Sequence, residues 1–150
     1  MKKITLRQAQ KEDLLFLYNV STQGLQPVVE ALSSAPETFE EFDRTFIPEQ
    51  VQVIQYEGEN VGRLRVVRSK ESIYIAGIQI LPEFQRKGIG TKIFEDLIQE
   101  AEELHVPITL EVHEVNTSAR TFYAKLGFTQ IGVVEDKPKL ILQYTPHKKI

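Results

Sequence analysis

The order of apolar and polar residues along the chain predicts a sheet of short strands interrupted by a few helices. Apolar and polar residues alternate over residues 4–9, as in a half-buried strand, and apolar residues recur at helical spacing over 13–20. β-branched runs predict further strands over residues 51–56, 61–67, 73–81, 109–112, 131–134 and 140–144. The polar residues 57–60 favour an antiparallel hairpin between the first two of these runs.

The clearest helix pattern follows Pro82, where apolar residues return at three- and four-residue steps. This stripe consists of Ile89, Ile93, Phe94, Leu97, Ile98, Ala101 and Leu104. Because a helix then joins two strands, the strands on either side of it are expected to be parallel. A last helix is predicted from a cap at Asn116 or Thr117 through Leu126, with Gly127 as its stop. The pattern therefore predicts a mixed α/β fold, mainly antiparallel, with one parallel strand-helix-strand crossover.

Two further segments carry local predictions. Residues 27–48 contain five acidic residues and one basic residue, with phenylalanines three and four positions apart, which indicates short acidic helices with one buried face. The acidic side chains are read as a solvated helix face, and they could also attract a cationic molecule. Gly77 lies inside a predicted strand, where a missing side chain indicates a bulge or a close approach of another backbone segment.

Composition narrows the classes of function. The 150 residues suit one domain, residues 1–150, and 41% hydrophobic residues suit a globular core. The chain has no cysteine, which excludes disulfides, thiolate nucleophiles and iron–sulfur clusters. No pair of its histidines has the spacing of metal ligands, and its net charge of -3 predicts no general attraction to nucleic acid or membranes. With no apolar leader and no long apolar run, a cytoplasmic protein is expected.

The segment with the most chemical information is the glycine loop 85–91, between a predicted strand and the long helix. Its backbone amides and the helix N-terminus can hold an anion such as a pyrophosphate. A Walker A loop is excluded because Lys92 follows Thr91 instead of preceding it, and a dinucleotide fingerprint lacks its third glycine, which is Ile93 here. Taken alone, the loop is also compatible with a simple turn from strand to helix.

The wider context favours a ligand-binding loop. Residues 78–90 resemble the signature Q/R-x-x-G-x-G/A of the GCN5-related N-acetyltransferases (the GNAT family), and residues 110–128 resemble that family's second motif. The resemblance implies that acetyl-CoA is the cosubstrate. It places the pyrophosphate on the amides of Arg86, Lys87, Gly88, Ile89, Gly90 and Thr91. It implies a sheet that is splayed at the cofactor cleft, with the pantetheine arm along Ile78 and Ile80, and the Ile80 amide polarising the thioester carbonyl.

The resemblance also assigns roles in the second motif. Tyr123 matches the family's tyrosine that protonates the departing thiolate or hydrogen-bonds its sulfur, so it is expected to be both catalytic and cofactor-binding, although periodicity alone would make it a core aromatic. Glu111 matches a glutamate that serves as general base in some relatives, and a solvated strand carboxylate is the alternative. Asn116 is expected to contact coenzyme A as well as to cap a helix, and His113 is read as a surface histidine or a member of a proton relay.

The function implied by the resemblance is direct transfer of an acetyl group from acetyl-CoA to a primary amine of a small molecule or peptide. No covalent enzyme intermediate and no metal are expected. A non-catalytic acyl-CoA-binding or regulatory module is the first alternative, and a nicotinamide enzyme is the second. The resemblance also admits a homodimer, because dimers are frequent in the family, and it leaves the amine acceptor open.

Overall fold

A computed structural model of the chain describes residues 3–147. Its strands are β1 (Ile4–Gln8), β2 (Val51–Tyr56), β3 (Glu59–Arg68), β4 (Ile73–Ile80), β5 (Ile108–His113), β6 (Thr129–Val133) and β7 (Lys139–Tyr144). They form a seven-stranded sheet in the order β1-β2-β3-β4-β5-β7-β6. The β4–β5 pair is parallel, whereas the β1–β2, β2–β3, β5–β7 and β6–β7 pairs are antiparallel. The predicted mixed α/β class and the parallel crossover are therefore confirmed.

The helices are α1 (Leu14–Leu32), α2 (Phe39–Thr45), α3 (Ile89–Leu104) and α4 (Thr117–Leu126). The first helix is much longer than the predicted 13–20 and continues through Pro27. A proline removes one helical hydrogen bond, and burial of neighbouring residues such as Val28 compensates for this loss. Within residues 3–147, no helix is both long and apolar enough to cross a membrane.

The hairpin between β2 and β3 is tighter than predicted. Only Glu57 and Gly58 form the turn, since β3 already begins at Glu59. Their φ angles of 51° and 84° are both left-handed, as in the two-residue hairpin turns whose twist matches that of the strands. Glycine adopts this backbone without steric cost, which explains Gly58.

Contacts divide the chain into two compact units. The first unit comprises the chain through Arg65 together with Gly77–Gly90. Its core joins α1, α2 and β2, and consists of Ala9, Leu17, Phe42, Val51 and Val53. As predicted, α2 is an acidic helix with one buried face, which Phe42 provides. A close ion pair of Arg7 and Asp13, at 2.7 Å, lies just before α1.

The second unit comprises Val66–Ala76 and the chain from Thr91 onward. Its main helix, α3, buries the predicted stripe at Ile93, Phe94, Leu97 and Ala101. Leu104 was expected in this stripe but is 59% exposed, because it is the last residue of the helix. Aromatic rings fill the centre of this unit, namely Phe94, Phe122, Tyr123, Phe128 and Tyr144.

Candidate active site

The glycine loop has the backbone of an anion-binding turn. Arg86 and Gly88 both have left-handed φ angles, 63° and 81°, in the turn that precedes the first residue of α3. Such turns bring successive amide groups to one side of the chain, close to the positive end of the helix. A Cβ atom built on Gly88 meets no atom of the described residues within 4 Å, its two chain neighbours aside, so the space beside the loop is open. The loop therefore offers amides, a helix terminus and room for a ligand.

Two side chains fix the loop, and two others are exposed beside it. Ile89 is only 1% exposed, which anchors the start of α3. Gln85 donates a hydrogen bond from Nε2 to the carbonyl oxygen of Ile80 at 2.9 Å, which ties the loop to the end of β4. Arg86 and Lys87 are exposed and can add positive charge. The sequence interpretation had not assigned this tie to Gln85, although Gln85 opens the quoted motif.

The end of β4 leaves two amide groups pointing away from β3. Leu81 donates from its backbone N–H to the carbonyl oxygen of Val61 at 2.8 Å. Because successive N–H groups of a strand point to opposite sides, those of Ile80 and Ile78 point away from β3. The parallel ladder with β5 covers residues 73–75 of β4 and includes neither isoleucine. This edge has the chemistry that an extended ligand with amide groups can recognise.

In the second unit, Tyr123 is enclosed by aromatic side chains. Its ring centroid lies 5.4 Å from that of Phe94, 5.5 Å from Phe122 and 5.6 Å from Phe128. Burial raises the pKa of the Tyr123 hydroxyl to about 12. The hydroxyl forms no hydrogen bond with another residue in the described part of the chain. Tyr123 is therefore both a core aromatic and a neutral phenol that holds its proton at pH 7.

Glu111 and His113 share one face of β5, as their two-residue spacing requires. Lys139 lies on the neighbouring strand with its Nζ 3.7 Å from Oε1 of Glu111. Burial lowers the pKa of His113, Lys139 lowers it further, and Glu111 opposes both effects. His113 is thus a half-buried imidazole and not a free surface side chain, and its lowered pKa favours the neutral form. Its Nδ1 atom is buried and has no hydrogen-bond partner among the described residues. Sequence reasoning missed Lys139, because its proximity depends on the strand register.

Asn116 caps α4 as predicted. Its side-chain oxygen accepts a hydrogen bond from the backbone N–H of Ala119 at 3.3 Å. Gly127 ends the same helix with a left-handed φ of 102°. The side-chain amide nitrogen of Asn116 is not used by this cap, so a second role remains compatible with it.

The predicted site residues fall into both units. Ile78, Ile80 and the loop through Gly90 belong to the first, whereas Thr91, Glu111, Asn116 and Tyr123 belong to the second. Within residues 3–147, no group of three or more histidine, aspartate or glutamate side chains could hold a metal ion.

Known proteins resemble this chain at the level of both sequence and fold. The family profile described as "Acetyltransferase (GNAT) domain" matches residues 19–145. The 5-NmdU N-acetyltransferase of Pseudomonas phage PaMx11 is 35% identical over 86 residues, which are 55% of this chain and 59% of that protein. Streptothricin acetyltransferase A of Bacillus subtilis is 35% identical over 82 residues, 53% of this chain and 46% of that protein.

The chain thus spans about half the length of the curated relatives that it matches. Among solved structures, the PaiA N-acetyltransferase of Thermoplasma acidophilum in complex with coenzyme A has a TM-score of 0.72 at 16% identity. The match covers 95% of this chain and 99% of that one. A likeness at this low identity establishes a shared fold.

Proposed function

Because the chain belongs to the family of GNAT acetyltransferase domains, we propose that it is an acetyl-CoA-dependent N-acetyltransferase acting on a primary amine. The observation that carries the proposal is the loop after β4, which combines left-handed backbone at Arg86 and Gly88 with open space beside Gly88. Two matching relatives are named as acetyltransferases, and the PaiA structure holds coenzyme A. Since residues 19–145 include parts of both units, we also propose that 1–150 act as one catalytic domain.

The residues present fit the cosubstrate. The loop has no side chain where a pyrophosphate would approach Gly88, and the edge of β4 offers amides to the pantetheine arm. We assign the pyrophosphate to the backbone of Arg86, Lys87, Gly88, Ile89, Gly90 and Thr91, the pantetheine arm to Ile78 and Ile80, and a further coenzyme A contact to Asn116. Acetyl-CoA, when bound, supplies an acetyl group activated as a thioester.

The Ile80 N–H is proposed to donate a hydrogen bond to the thioester carbonyl oxygen. Negative charge develops on this oxygen as the amine attacks, so a fixed donor stabilises the transition state more than the ground state. The loss of one such donor commonly costs about 10²–10³ in kcat. Gln85 supports this role, because its bond to the Ile80 carbonyl holds the end of β4 in place.

Tyr123 is proposed as the proton donor to the departing thiolate. A general acid must carry its proton at the working pH, and the raised pKa of about 12 satisfies this condition. The hydroxyl is not engaged by another described residue, so its proton is available to a ligand. The aromatic packing around the ring fixes where the hydroxyl lies.

Glu111 is proposed as the general base, acting through water. A lysine-like amine of pKa about 10.4 is only about 0.04% neutral at pH 7, whereas an α-amine of pKa about 7.7 is roughly 17% neutral. The long, half-exposed ion pair with Lys139 holds Glu111 only weakly, since such pairs contribute about 0–1 kcal/mol. We expect Glu111→Gln to lower kcat/KM by about 10²-fold or more. Glu114→Gln, which changes an exposed neighbour, is the control and should have little effect.

Thermal unfolding with acetyl-CoA tests the proposal, with NAD and ATP as controls. A ligand at about 100 times its Kd stabilises a protein by roughly 2.7 kcal/mol. We expect stabilisation by acetyl-CoA alone, followed by release of free thiol when an amine panel is added. Stabilisation without thiol release for any amine would favour a non-catalytic acyl-CoA-binding module. Stabilisation by NAD instead of acetyl-CoA would favour a nicotinamide enzyme.

Other expectations stay predictions. Direct transfer without a covalent enzyme intermediate should give sequential kinetics, and a ping-pong pattern would contradict it. Cell fractionation would test the predicted cytoplasmic location, and analytical sedimentation would test the predicted homodimer.

A further inference from the structure

The first unit contains a buried arginine without an acidic partner. Arg63 lies in β3 and is only 9% exposed. It donates a hydrogen bond from Nη1 to Oε1 of Gln79 at 2.7 Å, and its guanidinium carbon lies 5.5 Å from the centre of the Phe42 ring. Its Nε atom is buried and has no hydrogen-bond partner in the described part of the chain. Within residues 3–147, no carboxylate lies within ion-pair distance of this guanidinium.

Such an arrangement is costly for folding. A buried charge is normally paired with an opposite charge, and a neutral amide and an aromatic ring compensate for the lost water only in part. Burial lowers the pKa of Arg63 to about 10, nearby Arg65 lowers it further, and Glu37 opposes these effects. Arg63 still carries its charge at pH 7. The first unit therefore keeps a positive charge that its own side chains leave largely uncompensated.

One glycine leaves room for this arginine, and a second leaves room for its hydrogen-bond partner Gln79. A Cβ atom on Gly77 would lie 2.6 Å from Nη1 of Arg63, and a Cβ on Gly24 would lie 2.6 Å from Cγ of Gln79. The close approach of the Arg63 side chain thus accounts for the glycine in β4. Glycine inside a helix or a strand costs roughly 0.5–1 kcal/mol relative to alanine. Two such positions next to one arginine–glutamine pair indicate a specifically built polar cluster, which we call the Arg63 cluster: Gly24, Arg63, Gly77 and Gln79.

The Arg63 cluster lies beside the strand to which the proposed function assigns the thioester. The guanidinium packs on Gly77 and donates a hydrogen bond to Gln79. These two residues come three and one positions before Ile80 in β4. At about 3.3 Å per residue, the positions of Gln79 and Gly77 along β4 lie about 3 to 10 Å from that of Ile80. An amine positioned for attack near Ile80 can therefore carry a second group that reaches the guanidinium.

We propose that Arg63 binds a carboxylate of the acceptor, so that the acceptors of this protein are amines that also carry a carboxylate. The inference rests on the proposed function and adds its substrate class. A guanidinium forms charge-assisted, planar hydrogen bonds with a carboxylate, which would supply the missing opposite charge. Glu37, Glu40 and Glu41 of the same unit are exposed. Their negative charge favours a singly charged carboxylate over a doubly charged phosphate and attracts the ammonium group of a zwitterion.

Binding of matched acceptors tests the proposal without requiring turnover. The wild-type protein is saturated with coenzyme A, and glycine, 3-aminopropanoate and 5-aminopentanoate are compared by calorimetry with their primary amides. We expect at least one carboxylate to bind about tenfold to a hundredfold more tightly than its amide, as charge-assisted hydrogen bonds predict. Equal affinities in all three pairs would overturn the proposal, whether or not any variant folds.

Variants of Arg63 and Arg65 then test whether Arg63 is the residue that binds the carboxylate. Arg63→Met should abolish the preference for carboxylates, while acetyl-CoA still stabilises the variant. Arg65→Met is the matched control, because it removes the same charge from the same strand at a residue bonded to Gln50, and it should keep the preference. Arg63→Lys keeps the positive charge but loses the planar guanidinium, so it should retain part of the preference for carboxylates.

The outcomes separate this inference from the proposed function. A purely structural arginine would lower the stability of Arg63→Met but leave its ratio of carboxylate to amide affinity unchanged, and that result would overturn the inference. Failure of acetyl-CoA to stabilise even the wild-type protein would instead overturn the proposed function, and the inference with it. Stabilisation by acetyl-CoA without any carboxylate preference would leave the proposed function standing and reject the substrate class.

Discussion

Valine at position 88 tests the cofactor loop, because it separates backbone strain from ligand binding. Gly88 has a φ of 81° and open space where a Cβ would project. Gly58, in the β2–β3 hairpin, has nearly the same backbone, with a φ of 84° and equally open space. Gly58→Val is therefore a matched control, which imposes the same strain far along the chain from the loop.

The two variants should lose similar stability. A left-handed conformation costs a residue with a Cβ roughly 1–2 kcal/mol, and neither valine meets another atom within 4 Å at its Cβ. The affinity for acetyl-CoA should differ between the two variants. If the valine prevents two charge-assisted bonds from loop amides to the pyrophosphate, each worth about 1.5–3 kcal/mol, the Kd for acetyl-CoA rises by about 10²–10⁴-fold.

Thermal unfolding with and without acetyl-CoA measures both effects. At a concentration that is about 100 times the wild-type Kd, the wild type and Gly58→Val should gain roughly 2.7 kcal/mol. Gly88→Val, with a Kd at least about 100-fold higher, should gain no more than about 0.4 kcal/mol. If Gly88→Val gained as much as the wild type, the loop would not be the pyrophosphate site. If Gly58→Val lost the gain as well, backbone strain and not the loop would account for the loss in Gly88→Val.

Two further predictions concern single side chains. Tyr123→Phe should lower kcat by about 10²–10⁴-fold in a thiol-release assay without changing the Kd for acetyl-CoA. Tyr144→Phe is the control: it loses the hydrogen bond from its hydroxyl to Glu102 and should keep kcat in the same assay. Asp13→Asn should lower the free energy of unfolding at pH 7 by about 1 kcal/mol, because it removes the partly exposed ion pair with Arg7. Since hydrogen bonds from Arg7 lower the pKa of Asp13 below 3.8, the wild type holds this stability above pH 3.8 and loses it as the pH falls through the lowered pKa. Urea unfolding should therefore show the two proteins converging in acid.

The elements of the fold were predictable because their local signals agree with their packing. The period of α3 and the β-branched strands each encode a buried face, and the structure buries those faces. The errors lie where tertiary contacts override local preference. α1 continues through Pro27, although proline is an unfavourable residue inside a helix, and Leu104 is exposed at the end of the α3 stripe. Nothing in the local sequence reports how far the neighbouring core extends.

The candidate site was predictable for residues carried by a motif and not for those that depend on register. Gly88 and Tyr123 lie in motifs with fixed spacing, whereas Lys139 approaches Glu111 only through the pairing of β5 with β7. Arg63 was hidden for another reason. Arg63 and Leu64 are adjacent in β3 and both buried, so the burial pattern of this strand does not separate an inner face from an outer one.

The contrast between residues that the family motifs predict and residues that they do not, such as Arg63, bears on where acceptor specificity resides. The family motifs cover the loop at Gly88 and the helix of Tyr123, to which the proposed function assigns the holding and release of the acetyl group. They do not explain why the first unit buries the charge of Arg63, or why it places Gly24 inside a helix next to Gln79. Features that oppose folding persist where function requires them, and local sequence reasoning is expected to fail there. The Arg63 cluster is such a feature, and an anionic group on the acceptor accounts for its charge, its burial and its two glycines together.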